Sequence, residues 1–274
     1  MNRKASILIM AMWMLVLFTI LGTAIYRMFS SQITIAKHLQ ERSLSYFIAR
    51  AAVLDARKEL RENKKSYVGL ADLRKIRAKD LSTGSFEYYF LDEESKLNVN
   101  TASTDFLSKL PGLDRDLAQK IAESALKPFS VKEELLLVDG MTPEIYSLLK
   151  DCVTIFGYGV VNMNTAPSEV LFSLGMDEDL ISKINFFRYG IDGVEGTEDD
   201  KAFESQGDII SILKDNFFIS SSQEALLNNL MNAQRIGVGG SYYTLVLNIK
   251  FMEKSIGKYD ITINEGSIIQ WREF

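Results

Sequence analysis

The side chains that most often perform chemistry are scarce in this chain. Its 274 residues include one histidine, His38, and one cysteine, Cys152. A single histidine cannot build a multi-histidine zinc site, and no nucleophile is placed to pair with it. A single cysteine forms no intramolecular disulfide. We therefore predict a surface histidine, a buried packing thiol and no enzymatic activity, and we interpret Ser220–Ser222 as a helix cap or a linker.

A glycine-rich acidic loop, Arg188–Asp200, is the segment whose residue types best suit a metal ion. Five carboxylates fall within the nine positions 192–200. Hard oxygen ligands on a flexible loop suit Ca²⁺, although the regular spacing and terminal glutamate of an EF-hand are absent. The alternative is a solvated acidic turn in which Asp199 or Asp200 caps the next helix. The candidate ligands are Asp192, Glu195, Asp199 and Asp200.

Two stretches of the chain repeat each other. Leu97–Ala102 (LNVNTA) matches Val161–Ala166 (VNMNTA), and the similarity continues as far as Ile121 and Ile184. A match of this length indicates an internal duplication. In each unit the Asn and Thr residues precede a helical pattern, which predicts that their side chains cap the following helix.

The first repeat resembles a helix-hairpin-helix module of the DNA-uptake receptor type. Leu110–Leu113 (LPGL) and Val138–Met141 (VDGM) would be its two hairpins. The resemblance implies hairpins whose backbone N–H groups reach a phosphate, but Asp114 and Thr142 replace the second glycine of that pattern. Residues 96–155 carry seven Lys/Arg against nine Asp/Glu, a net charge of −2 that repels phosphate. We predict no nucleic-acid partner, with a membrane-anchored DNA receptor as an alternative.

A long N-terminal helix is predicted to precede these motifs in the chain. Residues 6–26 contain no charged side chain, and a helix of that length rises about 30 Å, enough to span a bilayer core. Arg3 and Lys4 precede it and predict a cytoplasmic N-terminus. No proline occurs before Pro111, so the helix is expected to continue as an amphipathic rod to about Asn63. A cleaved signal peptide would not merge into such a rod.

The strands predicted from the sequence lie far apart in the chain. Gly84–Leu91 reads as one strand, and Ser241–Phe251, Lys258–Asn264 and Ser267–Trp271 read as an antiparallel meander. The segment between them is helical by pattern and therefore an insertion. We expect the sheet to pack on the rod and to cover a set of apolar side chains. That set is Leu44, Phe47, Ala51 and Leu54.

This organisation resembles type IV pilins and the pseudopilins of type II secretion. Arg3-Lys4-Ala5 followed by Ser6 and an apolar run resembles their leader, which implies that a prepilin peptidase cuts between Ala5 and Ser6. Most members carry glutamate at the fifth mature residue, whereas this chain has Met10. The minor pseudopilin family called type II secretion protein K also lacks that glutamate, and it carries an Asn-x-Asn-Thr-Ala element before a helical insert. Calcium sites are known in that family, which favours Ca²⁺ at the acidic loop.

The resemblance implies an α+β fold. A pilin-like N-terminal helix would pack on a small antiparallel sheet that carries a large all-α insertion with two helix-hairpin-helix-like repeats. The expected regions are a leader (1–5), a transmembrane helix (6–26), its continuation with the first strand (27–91), the insertion (92–236) and the last strands (237–274). The implied role is a tip subunit that starts or caps a pseudopilus. It would be a single-pass inner-membrane protein with a periplasmic head, bundled with other minor pseudopilins. The alternative within this class is a minor pilin of a type IV pilus.

Overall fold

The structure is a computed structural model that describes residues 3–62 and 67–274, with side chains from residue 7 onward. The expected end of the rod at Asn63 lies outside the described residues. The helices are α1 Arg3–Glu62, α2 Leu70–Arg74, α3 Thr104–Leu107, α4 Arg115–Ala122, α5 Pro143–Leu149, α6 Ser168–Ser173, α7 Glu178–Arg188, α8 Ile209–Asn216 and α9 Ser221–Asn232. The strands are β1 Arg77–Leu81, β2 Gly84–Asp92, β3 Leu97–Asn98, β4 Val153–Thr154, β5 Val161–Asn162, β6 Ile236–Gly237, β7 Tyr242–Phe251, β8 Lys254–Asn264 and β9 Ser267–Glu273.

One five-stranded antiparallel sheet forms the pilin-like head. Its strand order is β1-β2-β7-β8-β9, so β2 pairs with β7 across about 150 residues of intervening chain. Asp92 at the end of β2 is paired with Tyr243 near the start of β7. The insertion therefore leaves and re-enters the head at neighbouring points of the sheet. The predicted α+β fold class is confirmed, although the sequence did not predict β1.

The sheet packs on the half of α1 that lies beyond residue 44. Alternate residues of β2, β7 and β8 point inward, among them Phe86, Leu247 and Ile261. They meet small residues of α1, since Ala49, Ala52 and Ala56 are all fully buried. Small side chains let a sheet approach a helix closely, so the alanines set the distance between the two layers.

The predicted contact face of α1 is wrong by about half a turn. Phe47 and Leu54 are 64% and 65% exposed, Ala51 is half-buried, and Leu44 touches the core only partly. At 100° per residue, Phe47 and Leu54 lie opposite Ala49 and Ala52. The large apolar residues were expected to mark the core, but the sheet covers the alanines instead.

The insertion consists of two consecutive modules with one shared apolar core. Module 1 runs from β3 to β4 and module 2 from β5 to β6, and each is closed by a two-residue parallel strand pair. Both start at the Asn-x-Asn-Thr-Ala repeat. The predicted duplication is thus visible as two copies of one supersecondary unit.

Candidate functional site

The side of α1 opposite the sheet is an exposed apolar surface. Phe29, Phe47 and Leu54 lie on one side of the helix at 100° per residue, and all three are exposed. We call these three residues the free face of α1. An exposed apolar surface of this kind marks a protein–protein or membrane interaction site.

The first part of α1 has the properties of a membrane anchor. Within the residues that the structure describes, α1 is the helix long and apolar enough to cross a membrane, and none of its apolar segment is buried in the protein. Ala5 and Ser6, the predicted cleavage pair, belong to its first turns. The apolar helix fits the predicted inner-membrane anchor.

Asp92 links the sheet to module 2 through one buried carboxylate. Its Oδ2 accepts hydrogen bonds from Asn162 Nδ2 and Thr165 Oγ1, both at 2.7 Å, and its Oδ1 accepts from the Glu94 N–H at 2.9 Å. Burial raises the pKa of Asp92 to about 6, although these three bonds favour the ionised form. Two residues of the repeat motif therefore anchor module 2 to the head.

Glu93 and Glu94, the two residues after Asp92, also take part in the junction between the sheet and the insertion. Burial opposes ionisation of Glu93, but the charges of Lys96 and Lys132 hold its pKa below the usual range. Its carboxylate also accepts from Thr244 Oγ1 of β7 at 2.8 Å. Glu94 accepts from the Ser241 N–H, where the chain returns to the sheet. The start and the end of the insertion are thus tied together by carboxylates.

The second asparagine of each repeat clamps a distant segment instead of capping a helix. Asn100 donates to Phe129 O at 3.1 Å and accepts from Phe129 N at 2.8 Å. Asn164 does the same with Phe203, at 3.0 and 2.7 Å, and donates also to Val238 O at 2.9 Å. The predicted capping role is wrong, because Ser103 caps α3 and Pro167 precedes α6.

Three turns of the insertion share one pattern. A glycine with positive φ comes first, then a buried apolar residue, and then the residue whose side chain caps the next helix. The three sequences are Gly112-Leu113-Asp114, Gly140-Met141-Thr142 and Gly175-Met176-Asp177. Positive φ explains the glycines, since other residues rarely adopt it. At each helix start the cap, Asp114, Thr142 or Asp177, accepts a hydrogen bond from one backbone N–H group. A capping carboxylate at that place disfavours phosphate.

The acidic loop brings three of its four predicted ligands towards one hydroxyl. Thr197 Oγ1 lies 2.7 Å from Asp199 Oδ1 and 3.4 Å from oxygens of both Asp192 and Asp200. The fourth residue, Glu195, turns away to an ion pair with Arg74 at 3.0 Å. Three carboxylates fit the donor chemistry of a hard cation, but no group of side chains in the described part of the chain is already arranged to hold a metal.

The remaining carboxylate oxygens of the loop accept from its own backbone. Asp199 Oδ2 accepts from the N–H groups of Ile191 and Asp192. The hydrogen bond from the Thr197 hydroxyl and these two backbone bonds lower the pKa of Asp199. Burial raises the pKa of Asp200. Neither residue caps a helix, since the next helical turn, Gln206–Asp208, is capped by Ser205. That part of the alternative interpretation is wrong.

Arg188, at the start of this loop, is a buried cation that the sequence analysis did not single out. Its guanidinium donates to the carbonyl oxygens of Met163 and Ala166, at 3.0 and 2.8 Å, and to Asn185 Oδ1. Burial lowers the pKa of Arg188. It therefore ties the end of α7 to the second repeat. In the sequence, its signal is its position as the last residue of α7, directly after Phe186 and Phe187.

The isolated candidates lie where the sequence predicted. His38 is exposed on α1, with Nδ1 3.8 Å from Glu41 Oε2. Cys152 is buried, and burial raises the pKa of its thiol to about 11. Ser220 caps α9 by accepting from the Gln223 N–H. These three expectations are confirmed.

Comparisons with known proteins agree with this architecture. A helix-hairpin-helix motif family matches residues 92–154, which contain module 1. One chain of the crystal structure of the GspK-GspI-GspJ complex from the enterotoxigenic Escherichia coli type 2 secretion system has a similar fold, with a TM-score of 0.59 and 16% sequence identity. The alignment covers 88% of this chain and 98% of that chain. Comparison with curated proteins gives no match. At this identity the similarity establishes a shared fold.

Proposed function

We propose that this protein is a minor pseudopilin of a type II secretion system, a subunit that assembles and does not catalyse. The observation that carries the proposal is the fold match, which extends over helix, sheet and insertion together. The matched chain belongs to a complex of GspK, GspI and GspJ. We extend that behaviour to this chain and propose other minor pseudopilins as its partners.

The free face of α1 supports this role. Phe47 and Leu54 are large, apolar and exposed, and α1 continues from them into its membrane segment. A neighbouring subunit that packed its own helix there would remove this apolar surface from water. The proposed orientation has the N-terminus in the cytoplasm, one crossing of the inner membrane, and the head in the periplasm.

Two features support a place at the tip of the assembly. Met10 stands where most related subunits have the glutamate that pairs with a neighbour's N-terminal amine. The insertion of two modules adds bulk to the head. We propose that no subunit stacks above this one, and that it starts or caps the pseudopilus.

The decisive experiment is N-terminal mass mapping of the protein from membranes, with and without a prepilin peptidase. The proposal predicts a mature chain that starts at Ser6 only when the peptidase is present. Replacement of Ala5 by leucine should slow this cut. The same replacement at Ala36, which is far from the cleavage site, should not slow it. A chain that starts at Met1 under both conditions, or near Ile25, would contradict the proposal.

Two rival functions are separated by other measurements. A minor pilin of a type IV pilus would be processed in the same way, so it is distinguished by the subunits that copurify. The motif match at 92–154 favours a DNA receptor, but capping residues occupy the helix starts of both hairpins. We expect no shift of duplex DNA in a gel at low salt, where a phosphate-binding protein would bind most tightly.

We also propose that Ca²⁺ binds the acidic loop through Asp192, Asp199 and Asp200. Glu195 would join them only by leaving Arg74. Calorimetric titration of the full chain with Ca²⁺ should give heat and a higher melting temperature, and Asp199→Asn should abolish both. Asp80→Asn, an exposed change in β1, is the control. Absence of heat and of a melting shift in the wild type would refute the site.

A further inference from the structure

The fourth turn of the insertion departs from the pattern of the other three. It joins α8 to α9 and reads Phe218-Ile219-Ser220. Ile219 is buried and Ser220 caps α9, as in the other turns, but Phe218 stands in the place of the glycine. Its side chain is 85% exposed. A phenylalanine at the tip of a turn contributes nothing to the core beneath it.

Two further aromatic rings lie near this tip: Phe217 is half-buried against the core of the insertion, and Phe186 is exposed. Phe217 lies beside Phe186 of α7, with ring centroids 5.8 Å apart in an edge arrangement, and Phe186 is 69% exposed. Lys183 Nζ donates to Phe218 O at 2.8 Å and holds the turn against α7. We call Phe186, Phe217 and Phe218 the aromatic patch. Exposed aromatic side chains grouped in this way are typical of protein interfaces.

The surroundings of the patch are acidic. Gln223, in the first turn of α9, donates to carboxylates of both Asp177 and Asp179, which places them beside the turn. Two cations near the turn are both paired with carboxylates, Lys183 with Asp179 and Lys214 of α8 with Glu224 of α9. Residues 161–237 carry five Lys/Arg against thirteen Asp/Glu, a net charge of −8, whereas the whole chain has −5. The rest of the chain is therefore net positive, and module 2 is where the negative charge is concentrated.

This charge restricts what can cover the patch. Nucleic acid and anionic lipid headgroups are repelled by it, and so is the same face of a second copy of this chain. Attraction is expected from a surface with the opposite charge and an apolar side chain to place against the rings. We infer that the aromatic patch is a docking site for a cationic polypeptide segment with apolar anchors. This inference goes beyond assembly through α1, which uses a different surface.

The test uses the full chain in nanodiscs of zwitterionic lipid and a dye-labelled peptide of Lys-Lys-Leu-Phe units interrupted by proline. Proline keeps the peptide from forming a helix that would enter lipid, and empty nanodiscs give the background. Two comparison peptides replace lysine by glutamate, or Leu-Phe by Gly-Ser. The variants are Phe218→Gly, which restores the residue of the other turns, and the double change Phe186→Ser with Phe218→Ser. Met252→Ser in the β7–β8 turn is the matched control, since Met252 is 84% exposed.

We expect the lysine peptide to bind wild type and Met252→Ser equally. It should bind the double variant at least about tenfold more weakly, because an aromatic anchor is lost. Phe218→Gly should weaken binding without lowering the melting temperature. Neither comparison peptide should bind well. Equal binding to wild type and the double variant would show attraction by charge alone and overturn the inference, as would no binding to wild type. Copurification of partner pseudopilins should be unchanged in both variants. Failure of the docking site can therefore be distinguished from failure of the proposed function.

Discussion

Among single residues, Asp92 is a buried carboxyl group whose protonation links the stability of the protein to pH. Its carboxylate is buried, and burial raises its pKa to about 6 from the ordinary 3.8. The folded protein therefore binds a proton more tightly than the unfolded chain between about pH 4 and pH 6. The stabilisation from this proton is complete below pH 4 and is lost as the pH rises through 6. Asp92 thus favours the folded state more in mild acid than at neutral pH.

Comparison of wild type with Asp92→Asn should reveal this effect. We expect the free energy of unfolding of wild type, relative to the variant, to fall by about 2–3 kcal/mol between pH 4 and pH 7. Urea denaturation at intervals of half a pH unit measures the difference. The same comparison with Asp80→Asn, an exposed residue, should be flat. A flat profile for Asp92→Asn would show that the buried carboxylate stays ionised throughout.

The two clamping asparagines offer a matched pair of substitutions. Asn164→Ala would leave the two buried backbone groups of Phe203 without partners and would remove one of the two bonds to Val238 O, and we expect a loss of about 3 kcal/mol. Asn100→Ala would release two groups at a less buried site, for a loss of about 1–2 kcal/mol. Denaturant unfolding of both variants tests this order, with the exposed Asn228→Ala as control. Equal losses would contradict the proposed role of burial.

At the scale of elements, the contact between α1 and the sheet depends on small side chains. Ala52→Leu places a larger side chain where the sheet already touches the helix, and we expect a loss of about 1–3 kcal/mol from overpacking. Leu54→Ala, on the free face, should change the stability of the isolated chain by no more than about 0.5 kcal/mol. Thermal and urea unfolding measure both. If Leu54→Ala costs more than Ala52→Leu, the assignment of the two faces is incorrect.

This contact also shows how far the sequence alone leads. The continuation of α1 beyond the membrane segment, the last three strands and the repeat all follow from local patterns of hydrophobicity and turns, and they could be predicted. The buried face of α1 could not, because two faces of the helix are apolar, one for the sheet and one that the chain leaves exposed. The pattern alone does not distinguish the face that contacts the sheet from the face that stays exposed. The larger apolar residues indicated the exposed face.

The candidate functional residues could likewise be found from the sequence, but their contacts could not. The acidic loop was visible as a cluster of carboxylates, but the ion pair of Glu195 with Arg74 joins residues 121 positions apart. Asn162 and Thr165 were visible as a motif, yet their bonds to Asp92 depend on how module 2 meets the sheet. Sequence patterns identify such residues, and only tertiary contacts assign their partners.

For the whole molecule, the head and the insertion have separate apolar cores. The outer face of the sheet, where the insertion docks, uses polar contacts. Arg272 of β9 pairs with Glu133 of module 1 at 3.0 Å, and Thr244 of β7 donates to Glu93. If the insertion is removed together with Glu93 and Glu133, the side chains of Thr244 and Arg272 become exposed and can bond to water instead. The head should therefore not depend on the insertion for its fold.

Removal of the insertion tests this independence. Asp92 and Tyr243 face each other across β2 and β7, so residues 93–242 can be replaced by Asn-Gly, a pair that favours the two-residue turn of a hairpin. We expect the shortened chain to unfold cooperatively, at a lower temperature than wild type, because the core between α1 and the sheet remains complete. It should still associate with partner pseudopilins through α1, and Phe47→Ser in the shortened chain should weaken that association. Circular dichroism during heating and copurification from membranes measure the two properties. A shortened chain that melts without cooperativity would mean that the insertion stabilises the sheet, and the head would then be one folding unit with its modules.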